Sequence, residues 1–163
     1  MKWINHKAIT FATVYYLTGN VFYSLISAIG AVFPDWIEGF DYSNPNWKKR
    51  HRTYSHWWVL YISILLIVTL GFMLKFQLSL SSVKEVITSK VVILDNITYL
   101  FYGAFFWFIV GCFFHIIQDA FTGSIPVFSP NKKVRWFRIS RTGTIWEYVM
   151  SVILIIFVFV IAR

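Results

Sequence analysis

Charge is scarce in this chain. Only 13% of its 163 residues are Asp, Glu, Lys or Arg, against 58% hydrophobic and 21% aromatic. An ordinary soluble domain carries about 25% charged residues, so a water-facing globule is excluded and an integral membrane protein is indicated. Acids are the scarcer sign, seven against 15 Lys and Arg, for a net charge of +8. Cysteine occurs once, so no internal disulfide can form and the redox compartment stays open. That residue, Cys112, precedes His115 by three positions and could reach a metal, but a small packing role suits it better. No HExxH occurs, which removes the commonest metalloprotease pattern. Nothing resembles a linker, so one domain over residues 1–163 is expected.

What the chain does have is long apolar runs. Residues 57–76, 97–121 and 145–162 are each long enough to cross a hydrocarbon core of about 30 Å. A fourth region, 8–33, is interrupted by Gly19-Asn20. Lys2 and Lys7 ahead of it, with Ala28-Ile29-Gly30 behind, imitate a signal peptide. The stretch is too long and holds too many Thr, Tyr and Asn residues, so it is expected to stay with the protein.

The break at Gly19-Asn20 decides the topology. As one straight helix, 8–33 would put His6 and Asp35 about 40 Å apart, at about 1.5 Å per residue. A reversal at Gly19-Asn20, two residues that tolerate left-handed backbone, puts them on one side, with arms of about 16 and 20 Å. That side then carries Lys2, Lys7, Lys48, Lys49, Arg50, Arg52, Lys132, Lys133, Arg135, Arg138 and Arg141. The other side has Lys75, Lys84, Lys90 and Arg163. The asymmetry predicts that the basic side is cytoplasmic, and it explains the net charge without nucleic acid. Seven of the eight Trp, all but Trp107, fall on or beside the same side. On the far side, Ser82 to Glu85 has a capping-box pattern, and Val83, Val86, Ile87 and Leu94 repeat at helical spacing. They predict a short amphipathic helix on the membrane.

The remaining polar residues collect on the basic side. His6 opens the first arm, and Asp35 closes the second with Glu38 just beyond. His51, Arg52 and His56 lead into the first span, with Thr53 or Ser55 expected to cap the helix that carries His56. His115 and Asp119 lie in the last turns of the second span, four apart and so on one helix face. An ionised group inside a membrane costs about 2.5–3.5 kcal/mol on insertion scales, so each of these needs a partner or an ion. Alone, a histidine at an interface or a Pro-Asp pair is unremarkable. Together, imidazoles and carboxylates at one depth suit Zn²⁺, and less selectively Mn²⁺ or Fe²⁺, as one ion with supporting groups or as two ions.

In order and spacing, the chain resembles the YdjM-like membrane-bound metal-dependent hydrolases over nearly its whole length. The matching elements are His6, Phe33-Pro34-Asp35, the HRxxSH of His51 to His56, and the HxxxD of His115 and Asp119. Gly123, Pro126, Pro130, Arg138 and Glu147 follow. The resemblance implies a distant similarity to zinc-dependent phospholipases C and single-strand nucleases, and hence phosphoester chemistry. Relatives often carry a second acid two residues after the position of Asp35. Here that residue is Ile37, and Glu38 is the nearest replacement.

The expectation is an all-α integral membrane protein, with three full transmembrane helices plus an N-terminal helical hairpin and a site at one membrane face. His6, Asp35, His56, His115 and Asp119 would hold metal. His51 would be a further ligand or a base, and Arg52 and Arg138 would clamp phosphate oxygens. Glu147 would orient Arg138 or protonate the leaving group. The expected reaction is metal-dependent hydrolysis of a lipid or lipid-linked phosphoester at the cytoplasmic leaflet, with the membrane lipid as partner. A metal-ion or proton transporter subunit using the same His/Asp cluster is the rival, and a non-catalytic scaffold stapled by those charges is the third reading.

Overall fold

The computed structural model describes residues 1–39, 51–76, 97–135 and 139–161. The amphipathic helix expected around Ser82–Leu94 and the predicted clamp Arg138 lie outside the described residues.

The predicted reversal is present. Helix α1 (Trp3–Thr18) ends at Gly19, whose φ of 63° is left-handed and whose N–H closes on the Tyr15 carbonyl. Glycine takes that conformation without the cost a Cβ would impose. Asn20 then caps α2 (Val21–Gly30), its side-chain oxygen accepting from the Tyr23 N–H at 3.3 Å. The two arms pack on each other, which returns the chain to its starting side.

After Ala31 and Val32 the chain resumes as α3 (Phe33–Glu38), with Pro34 in its first turn, where a missing N–H does no harm. A 3₁₀ turn (Tyr54–His56) leads into α4 (Trp58–Phe76). The expected cap is absent: Thr53 makes no side-chain cap bond, Ser55 turns to Glu38, and His56 sits in the turn ahead of the span. Next comes α5 (Ile97–Thr122), a proline-free run of 26 residues. It stops at Gly123, whose N–H bonds the Asp119 carbonyl, with Pro126 just beyond. The chain closes with α6 (Ile145–Ile161).

Among the described residues, three stretches are long and apolar enough to cross a membrane: Val21–Glu38, Trp58–Lys75 and Tyr99–Thr122. The second arm of the hairpin is therefore longer than expected, because α3 continues α2 after two residues. The expected span 145–162 is matched by α6 over 17 of its residues, about 25 Å, with residue 162 outside the described residues.

Backbone contact joins α2 to α5. A Cβ on Gly30 would collide with the Phe108 carbonyl oxygen, and one on Gly111 would collide with that of Ser27. Small residues give membrane helices this closeness, which supplies packing where the hydrophobic effect between helices is missing. An apolar core of Tyr61, Ile109, Cys112, Ile116, Ala120, Ile125 and Val127 lies between α4, α5 and a short hairpin. Cys112 is thus a packing residue. Leu66, Ile67, Leu74, Phe101 and Val160 are exposed, as a lipid-facing surface requires.

Residues 122–144 are expected from the sequence to form a loop. The structure places an antiparallel hairpin there, β1 (Ser124–Ser129) and β2 (Lys132–Arg135), with an irregularity between Pro126 and Ser129. Pro126 hides the strand in the sequence. A two-stranded edge tolerates it, because each strand has one side free of ladder bonds.

Candidate metal centre

Three elements meet at the end of α5. His115 and Asp119 come from its last two turns, Asp35 from α3 and His56 from the 3₁₀ turn, and each offers one ligand atom within 4.8 Å of the others. His56 Nε2 lies 3.1 Å from His115 Nε2, 3.3 Å from Asp35 Oδ1 and 3.5 Å from Asp119 Oδ2. His115 Nε2 lies 3.5 Å from Asp35 Oδ1 and 3.4 Å from Asp119 Oδ2. Four N and O ligands about 2.0–2.1 Å from one tetrahedral centre stand about 3.3–3.4 Å apart. Five of the six separations are near that spacing, and all six lie within 4.8 Å.

The tautomers fit as well. His115 Nδ1 faces the Ala31 carbonyl at 2.7 Å, an acceptor only, so it carries the proton and leaves the Nε2 lone pair inward. His56 Nδ1 is held by Glu38 Oε1 at 3.2 Å and Ser55 Oγ at 2.8 Å. Metal-binding histidines have such partners, which fix the ring and raise its basicity. Among the described residues, Asp35 Oδ1, Asp119 Oδ2 and His6 Nε2 are buried without a hydrogen-bond partner. Leaving such atoms unmatched costs about 1–3 kcal/mol each, and a cation held by the two carboxylates removes that cost for their oxygens. Arg52 Nη2 stands 2.9 Å from Asp119 Oδ2 as an ion pair without hydrogen-bond alignment.

Burial opposes a charge on His56, but the nearby carboxylates of Asp119, Asp35 and Glu38 outweigh it and carry the pKa up to about 10. The carboxylates thus hold a proton on this ring when no cation is present.

His6 adjoins the four without joining them. It stacks on His115 at 4.0 Å between ring centres, and its Nε2 lies 3.4 Å from Asp119 Oδ1, which also receives the Met1 amino group at 2.5 Å. Gln118 orients it, Oε1 meeting His6 Nδ1 at 2.8 Å while Nε2 donates to Thr10. Sequence reasoning missed Gln118, although a glutamine inside an apolar run beside Asp119 was a usable signal.

Glu38 does not fill the place of the acid missing at Ile37. It gathers the loop that carries two histidines, taking His51 Nδ1 at 2.6 Å, the Arg52 backbone N–H at 3.0 Å, and His56 and Ser55. Arg52 accommodates this with a φ of 60°, unusual outside glycine. Lys133 from β2 donates to the His51 carbonyl. Glu147 is placed elsewhere. Its carboxylate accepts from the Lys2 N–H at 2.5 Å, Asn5 Nδ2 at 2.6 Å and the Gly143 N–H at 2.6 Å, joining α1 to α6.

Fold and site together define a helical membrane protein with a His/Asp cluster able to hold a metal ion at one end of its bundle. The chain belongs to the YdjM inner membrane protein family, whose sequence profile matches residues 1–163. No curated protein and no solved structure matches it.

Proposed function

We propose that this protein is a membrane-bound metal-dependent hydrolase that cleaves a lipid or lipid-linked phosphoester at the cytoplasmic leaflet. The observation that carries the proposal is the donor set: Asp35, His56, His115 and Asp119 each offer a ligand atom within 4.8 Å of the others, and two of the carboxylate oxygens are unmatched. Imidazole with carboxylate favours Zn²⁺, with Mn²⁺ or Fe²⁺ next. Those four residues would hold it, with His6 beside them. When bound, the ion supplies Lewis acidity and draws the pKa of a coordinated water towards about 7.

The chain's own groups supply the rest. A substrate has access where Asp35, Arg52 and His51 keep 12%, 15% and 21% side-chain exposure. The planar guanidinium of Arg52 matches two phosphate oxygens at once, and its Nε has no partner among the described residues. His51, oriented through Nδ1 by Glu38, carries a proton to or from the ester oxygens. Lys133 adds positive charge beside it. Glu147, with both oxygens engaged, has no chemical step here. The cytoplasmic orientation rests on the charge asymmetry.

One observation favours a second reading. Four protein ligands around one ion are typical of structural zinc, whereas catalytic sites usually keep a position open. Metal content and phosphate release from phosphoester lipids in proteoliposomes separate the two, measured for wild type, Arg52→Ala and His51→Ala. Hydrolysis expects release by wild type and loss of release with metal retained in the variants. Bound metal with no release from any lipid phosphoester would leave the structural role.

A further inference from the structure

We infer that the cavity between α4, α5 and β1 receives one acyl chain of a phosphate-bearing lipid whose headgroup lies at the metal centre. The inference rests on the hydrolase reading for its headgroup and on the cavity itself for its tail.

The cavity has a volume of about 350 Å³, with Trp58, Phe113, Ile117, Phe121, Ile125 and Val127 among its walls. Binding pockets run from about 300 to 1,000 Å³, so this one suits a stretch of hydrocarbon. No polar atom is exposed in its lining. The one polar group of the Trp58 side chain, its indole N–H, donates to the Val127 carbonyl at 2.9 Å. Water or a peptide seated there would leave its own polar groups unmatched. An empty void would forfeit dispersion contacts along its lining. Since α4 and α5 are membrane-spanning, the molecules at hand to fill it are lipid chains.

Apolar fit alone selects no lipid, because one tail is as apolar as the next. Selection comes from what the walls are attached to. Trp58 follows His56 by two residues, and Ala120, another wall residue, follows Asp119 directly. The hairpin that forms the outer wall is fastened to the His51–His56 loop by packing of β1 on the 3₁₀ turn and by Lys133 on His51, and to the start of α4 by Trp58 on Val127. In the inferred pose the glycerol end of a chain lodged in the cavity faces the His51–His56 loop, whose Arg52, with Lys133 on the His51 carbonyl, matches an anionic headgroup and not a neutral one.

The test is photolabelling of the full-length protein in phosphatidylcholine vesicles. One probe is a non-hydrolysable phosphonate analogue of phosphatidate with a diazirine in its acyl chain. The other is diacylglycerol with the same chain. The expected result is preferential labelling of residues 113–127 by the phosphonate probe. Ile117→Trp on α5 and Val127→Trp on β1, which add bulk to the cavity from two elements, should each lose that label while label at the lipid-facing Leu66 persists. Equal labelling by the two probes would make the chain ordinary boundary lipid and overturn the inference. So would label retained in both variants, or a crosslink to a second copy in place of lipid. Metal content and phosphate release are measured in parallel. Selective label without metal or release sinks the hydrolase reading and leaves the lipid cavity, and the converse sinks the cavity alone.

Discussion

Asp119 and Glu147 are both fully buried carboxylates, yet they sit in opposite kinds of surroundings. Glu147 is saturated by two backbone N–H groups and an asparagine amide, donors that do not titrate and have nowhere else to go. Asp119 faces three imidazoles, a guanidinium and an amino group, and one of its oxygens still has no hydrogen bond. The first arrangement is complete without a ligand. The second concentrates titratable groups around unmatched atoms, as a site built for a cation does. A buried acid inside a membrane protein is therefore ambiguous in sequence, and its donors decide whether it is staple or site.

The contrast can be broken most directly at Asp119. Asp119→Ala should abolish bound metal and, by removing one partner from a buried charge cluster, cost about 3–5 kcal/mol of stability. Full metal content in that variant, measured by mass spectrometry, would end the distinction. His115→Ala should likewise lose the metal. Glu147→Gln should do the reverse, lowering stability by about 1–3 kcal/mol through unmatched backbone donors while metal stoichiometry is unchanged. Loss of metal in this variant would move Glu147 into the site.

Smaller effects sharpen the picture. Glu38→Gln leaves every ligand in place and should weaken metal affinity about 10–100-fold, as loss of an outer-shell partner does, with full occupancy recovered at high metal concentration. An unchanged dissociation constant would argue against Glu38 as the group that orients His56. The pH dependence follows from the same ring. His56 is raised from 6.5 to about 10, so in the metal-free protein its charge contributes stability in full below pH 6.5, and the contribution is lost as pH rises towards 10. Metal requires the neutral ring. Apparent affinity should therefore rise about tenfold per pH unit across that window, which titration at three pH values would test. Smallest is Asn20→Ala, which removes the α2 cap and should cost about 1 kcal/mol in thermal stability without touching metal binding.

Some of this was legible because it depends on short-range chemistry. Gly19-Asn20 marked the reversal, since only a few residues accept that backbone, and the reversal alone was enough to bring His6 and Asp35 to one side. The HxxxD spacing placed His115 and Asp119 on one helix face for the same local reason. The strand at Ser124–Ser129 was not legible, because Pro126 interrupts a pattern only six residues long and the pairing partner supplies the order. Glu38 stood out in the sequence, but as a replacement ligand, because of its short distance along the chain from Asp35. The turn of α3 instead aims it at the His51–His56 loop.

Membrane residence, the hairpin and the separate members of the His/Asp cluster are determined by the sequence itself, through hydropathy, backbone preference and helical period. Only the tertiary structure decided that Asp35, His56, His115 and Asp119 share one centre, that Glu147 joins α1 to α6, and that an apolar cavity lies beside the site loop. The reason is physical. A residue's type sets what it can bond, but packing of helices distant in sequence sets which of its bonds are already made.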